Sequence, residues 1–145
     1  MSPLLSESTD DDSNDDREVD LLFNSLEEFV RDYLVTTLPR PVEGRTAAWC
    51  PSWWDHAEAV MRLSTMWRSY EFLRLDPFLG LSNWILNHRD PHLRVLLDPV
   101  AGTFAACGEH GHQGNPQPPA LEPAPAELMS HPAFALADED DPFIV

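Results

Sequence analysis

The chain has 145 residues, with 25 acidic side chains against nine arginines and no lysine, and a formal net charge of −16. Residues 1–20 hold eight acids and one arginine, residues 21–107 hold ten acids and eight arginines, and residues 108–145 hold seven acids and no base. The net charges are −7, −2 and −7, so the acidity belongs to the two ends. This balance excludes a free-standing polybasic nucleic-acid binder and a membrane-surface protein held by basic charge.

The expected organisation is a disordered acidic arm over 1–20, a helical domain over 21–107 and a Pro/Ala-rich acidic tail over 108–145. The arm carries Asp10, Asp11, Asp12, Asp15 and Asp16 among serines, without periodic hydrophobes. In the tail, seven prolines fall within 38 residues, the composition of an extended linker. The centre is one small domain, which buries roughly 60–65% of its unfolded surface. All five tryptophans (Trp49, Trp53, Trp54, Trp67, Trp84) lie within it, and large aromatics raise apolar burial per residue. No apolar run approaches the roughly 18–20 residues of a membrane span. The acidic start lacks signal-peptide character, and two cysteines are too few for a disulfide scaffold. A cytoplasmic protein is expected, and the all-arginine base content fits a GC-rich bacterial genome.

Within the centre the fold class is all-α, a bundle of about four helices with one long central helix. Ser25 and Glu28 have capping-box spacing, followed by Leu26, Phe29, Val30, Tyr33 and Leu34 at helical intervals, with Pro39 and Pro41 as terminators. The central helix is expected from Pro51 or Ser52 to about Leu75. Its apolar positions cover more than one face, and Glu58–Arg62 and Glu71–Arg74 are expected as ion pairs on the remainder. Ser82 reads as the N-cap of a short helix through Trp84 and His88. Asp90-Pro91 reads as the start of another, with Asp as N-cap and Pro at the first position. The segment from Val100 to Cys107 is ambiguous and compatible with an extended strand.

These residues carry a resemblance. The string Trp49-Cys50-x-x-Trp53-Trp54-x-His56-x-Glu58-Ala59, then Arg62-Leu63, Trp67-Arg68 and Glu71, is followed by Leu73-Arg74-x-Asp76-Pro77-x-x-Gly80-x-Ser82-x-Trp84. His88-x-Asp90-Pro91-His92 and Gly102-x-Phe104-x-x-Cys107 complete it. Over about residues 23–110 this resembles an uncharacterised actinobacterial family, a domain of unknown function with chromosomal, plasmid and phage members. The resemblance implies a bacterial cytosolic protein, with a mobile element or phage among its sources, and brings no activity, cofactor or catalytic residue.

Four constellations bear on function. Cys50, His56, Cys107 and either His110 or His112 form a thiolate and imidazole set suited to tetrahedral zinc, and a metal clip would support a small core. The competing reading makes Cys50 a buried hydrophobe, Cys107 a free thiol and the histidines solvated. Cys50 ahead of a helix N-terminus is also the one nucleophile to weigh, but no oxyanion-hole signature accompanies it. His88 and His92 straddle Asp90-Pro91, which is expected to break the helix and deny them a common face. Arg68, Arg74, Arg89 and Arg94 offer a partner-binding surface, with nucleic acid disfavoured by neighbouring acids and acidic ends. The C-terminal run holds Asp140, Asp141, Phe143, Ile144 and Val145. It looks like the acidic tip of bacterial single-stranded DNA-binding proteins, displaced by two residues, and also suits strand addition; the plainer reading is a solubilising tail. The reading reached is a non-enzymatic protein-binding or adaptor module. The alternative is a domain stabilised by structural zinc, and the lower alternative is a nucleic-acid-associated protein or acidic mimic.

Overall fold

The structure is a computed structural model, and it describes residues 20–38, 47–108 and 111–134. The chain divides into two compact units, residues 1–115 and 116–145. The arm over 1–19, Pro39, Pro41, His110 and the residues from 135 onward lie outside the described residues. Among the described residues there are helices and turns and no strand, which agrees with an all-α fold.

Helix α1 spans Leu26–Asp32. Ser25 Oγ accepts the Glu28 N–H at 3.1 Å, and the Glu28 carboxylate reaches back to the Asn24 N–H at 3.0 Å. This is a capping box with its return bond moved one residue upstream. The helix buries Phe29 and Val30 and gives way to a single 3-10 turn over Leu34–Thr37 before Pro39 is reached.

The central helix, α2, spans Ala57–Leu73 and starts later than expected. A short 3-10 turn at Trp53–Asp55 precedes it, and His56 is extended (φ −109°, ψ 112°) as its N-cap. The first helical donor, the Ala57 N–H, is satisfied by the Asn115 side chain at 2.8 Å. Local propensity cannot register a cap supplied from 58 residues away, so the sequence pattern ran the helix through His56. Ala59, Leu63, Met66 and Tyr70 face the core. Glu71, expected on the solvated side, is buried: it accepts the Leu22 and Phe23 N–H groups at 2.9 and 2.8 Å and pairs with Arg74 at 2.8 Å. These bonds tie the entry segment to the end of α2. Burial alone would raise the Glu71 carboxyl, but the donors outweigh it and hold it below its ordinary range.

After α2, Asp76 Oδ1 accepts from the Phe78 and Leu79 N–H groups, and Gly80 opens α3 (Gly80–Trp84). A Cβ on Gly80 would lie 1.8 Å from the Leu73 carbonyl oxygen, so only glycine fits this elbow. Ser82 lies inside α3, and the N-cap position belongs to Leu79. The expected break at Asp90-Pro91 is absent. A π-helical turn over Ile85–Arg89 joins α3 directly to α4 (Asp90–Leu97), and Asp90 is itself helical. Proline cannot donate and crowds the carbonyl four residues earlier. Widening the preceding turn, with the Asp90 N–H bonded to the Ile85 carbonyl, lets the helix pass through Pro91.

Residues 98–107 form consecutive tight turns rather than a strand. Asp98 Oδ1 accepts the Val100 N–H at 2.9 Å, Gly102 N–H bonds the Asp98 carbonyl, and Cys107 N–H bonds the Phe104 carbonyl. The core unites Phe29, Leu34, Leu63, Met66, Leu96 and Phe104 around Trp84, whose indole N–H donates to the Met66 carbonyl at 2.9 Å. Trp84 is the fully buried tryptophan, Trp49, Trp53 and Trp67 pack at its margin, and Trp54 is exposed. In the second unit, α5 (Ala126–Met129) and a 3-10 turn at Pro132–Phe134 are solvent-exposed. No described helix is long and apolar enough to cross a membrane.

Candidate metal centre

Two stretches of backbone, one carrying Cys50 and His56 and the other Cys107 and His112, meet beside the N-terminus of α2. Cys50 precedes the Pro51–Ser52 turn, and the Ser52 N–H donates back to its Sγ. The extended conformation of His56 turns its ring away from the helix surface, edge-on to Phe104 with centroids 5.1 Å apart. Cys107 closes the turns that follow α4. A reversal pinned by the Gly108–Gly111 bridge then delivers His112; Gly111 has φ 82°, which favours glycine.

The result places Cys50 Sγ 3.1 Å from His112 Nδ1, Cys107 Sγ 3.5 Å from His56 Nε2 and Cys107 Sγ 3.8 Å from His112 Nδ1. All four donor atoms lie within 4.8 Å of one another, and this Cys50, His56, Cys107, His112 cluster can hold a metal ion. In a tetrahedral site with metal–sulfur bonds of about 2.3 Å and metal–nitrogen bonds of about 2.0 Å, neighbouring donors are about 3.3–3.8 Å apart. The three sulfur–nitrogen spacings, 3.1, 3.5 and 3.8 Å, lie close to that range, and the whole set stays within 4.8 Å.

The surroundings also match. His112 presents Nδ1 inward while its Nε2 bonds Asp55 Oδ2 at 2.7 Å, the carboxylate–histidine arrangement that orients a metal-binding imidazole. Cys107 Sγ receives the Gln113 N–H at 3.4 Å. Cys50 and His56 are 1% and 4% exposed, whereas His112 is solvent-facing.

Burial pushes the Cys50 thiol up, which argues against the nucleophile reading. Burial opposes ionisation of Cys107 as well, but the Gln113 N–H and His112 outweigh it and hold that thiol below its ordinary range. Burial and then the nearby His112 push His56 below its ordinary value. The hydrogen bond to Asp55 and then the one to Cys107 raise His112 above its ordinary value.

Of the two histidines open for the fourth position, His112 is in the cluster, and His110 lies outside the described residues. Asp55, Ser52 and Gln113 were missed from sequence. Asp55 had one signal, its position directly before His56; the other two contribute only backbone. His88 and His92 lie on one uninterrupted helical path despite Pro91, yet His92 is engaged by Arg62 Nη1 at 3.1 Å and Thr65 Oγ1 at 3.4 Å. Arg74 bonds Glu71 and the Asp20 carbonyl. Arg89 bonds Asp90 and the Thr37 carbonyl and hydroxyl. Both are internal ties, whereas Arg68 and Arg94 are exposed, and Arg68 has no ion-pair partner among the described residues. Asp140, Asp141, Phe143, Ile144 and Val145 lie outside the described residues.

Compared with known proteins, residues 23–125 match the family described as Domain of unknown function (DUF4913). No curated protein and no solved structure matches the chain.

Proposed function

The chain belongs to the DUF4913 family of domains of unknown function, and we propose that it is a helical module closed by a structural zinc ion and acting as a non-enzymatic binding protein. One observation carries this reading: two thiols and two imidazoles from two chain segments distant in sequence meet within 4.8 Å. Two soft sulfurs with two imidazoles in tetrahedral array favour zinc over hard cations. Four protein ligands leave no open coordination position for substrate, the mark of a structural rather than a catalytic ion. Zinc would join the segment before α2 to the segment after α4 and so clip together two parts of a small domain. The adaptor role is supported by the charge arrangement, a near-neutral folded centre between ends of −7 each. Such ends favour contacts with basic protein surfaces over nucleic acid.

The test is metal content and stability after purification under reducing conditions. About one zinc per chain is expected, with a lowered unfolding temperature after chelation. His112→Ala should lose the metal and His110→Ala should keep it. Metal-free protein whose unfolding is indifferent to both zinc and chelator would overturn the zinc assignment. An affinity capture in which full-length chain and the 21–115 fragment retain the same proteins would remove the role given to the charged ends.

A further inference from the structure

The elbow between α2 and α3 displays large apolar side chains that the fold does not use. Phe72 is 75% exposed, Leu75 65%, Phe78 90% and Leu79 69%, and Leu81 follows at half exposure. They are brought together because Gly80 lies directly on the Leu73 carbonyl, so the chain reverses without a spacer. Beside them is a cleft of about 330 Å³ lined by Leu21, Trp67, Arg68, Glu71, Phe72 and Leu75. Phe72 and Leu75 belong both to the exposed set and to the cleft wall, so the elbow joins an apolar projection to a recess with mixed walls.

We propose that this face is the interface of a homodimer, in which Phe78 of each copy enters the cleft of the other. The five side chains expose on the order of 600 Å² per copy, at the upper limit of the largest apolar patch on a monomer. A standard interface covers about 800 Å² per partner, somewhat over half of it apolar, so the patch supplies the apolar area a stable dimer needs. A two-fold contact requires that the surface be complementary to itself, each residue meeting its reciprocal set. A projection and a recess a few residues apart on one elbow meet that condition. Charge agrees: entry of Phe78 brings Asp76, two residues before it, toward Arg68 at the cleft wall of the other copy. The net charge of −16 per chain opposes association over long range, so the dimer should tighten as salt screens the acidic ends.

Sedimentation of the full chain across the micromolar range, in low and high salt, tests this. A monomer–dimer equilibrium is expected, tighter in high salt. Phe78→Ser should raise its dissociation constant about tenfold or more. Helicity and unfolding temperature extrapolated to the monomer should not change, because the Phe78 side chain touches little of its own fold. Phe72→Ser, on the recess side, should weaken the dimer likewise and serves as the second reading. A monomer at every concentration and salt would overturn the proposal, as would a dimer that neither substitution weakens.

Discussion

Replacing Glu71 with alanine removes the one carboxylate that three donors share. The Leu22 N–H, the Phe23 N–H and Arg74 Nε all point at it from 2.8–2.9 Å. Hydrogen bonds to a charged group contribute about 1.5–3 kcal/mol each, and breaking a buried pair costs about 3–5 kcal/mol through the charge left behind. The bonds share one group and are not additive, and Arg74 is 23% exposed and can rehydrate. We therefore expect Glu71→Ala to destabilise the domain by about 3 kcal/mol, which lowers the unfolding temperature by about 12–24 °C for a domain of this size. Glu71→Gln keeps one acceptor oxygen but turns an amide N–H toward a donor, and should cost about half as much. The loss should be local to the entry segment, where Phe23 stacks on Tyr33 and meets Phe29 and Tyr70. Urea unfolding followed by tryptophan fluorescence measures it. Deleting residues 1–23 should mask the mutation, because two of the three donors leave with the segment. A destabilisation below about 1 kcal/mol in the full chain would refute the role assigned to this carboxylate.

Acid should act on the same group. The folded Glu71 carboxyl titrates below the ordinary value of 4.5. Its stabilisation is complete above that value and disappears as the pH falls through the lower folded value, so a stability-versus-pH curve should fall there and flatten in Glu71→Gln. Asp55→Ala removes the acceptor that orients His112 and should weaken zinc binding about 10–100-fold in competition with a chromophoric chelator; unchanged affinity would separate Asp55 from the metal centre. Gly80→Ala drives a Cβ onto the Leu73 carbonyl and should cost at least about 2 kcal/mol, read as a lower urea midpoint. Gly102→Ala, whose Cβ would come within 2.4 Å of the Asp98 carbonyl oxygen, should behave similarly.

The sequence by itself determined the helical class, the start of α1, the central position of α2 and three of the four residues of the Cys/His cluster. Each depends on neighbours close along the chain or on donor chemistry. Apolar residues at helical intervals, a serine three residues before a glutamate and thiols with histidines all retain their meaning without a partner surface. Tertiary structure decided everything that depends on a residue far away. Asn115 caps α2 and so frees His56 from the helix. Glu71 is buried because Leu22 and Phe23 arrive against it, although its pairing with Arg74 was legible. The π turn carries the helix through Pro91 by putting the Asp90 N–H on the Ile85 carbonyl, an arrangement that no local propensity signals. The choice of His112 rests on the Gly108–Gly111 reversal and on Asp55, two features that composition cannot rank. Spacing named a set of donors, and the fold brought Cys50, His56, Cys107 and His112 within 4.8 Å of one another, because the meeting of two distant segments is a property of packing and not of either segment.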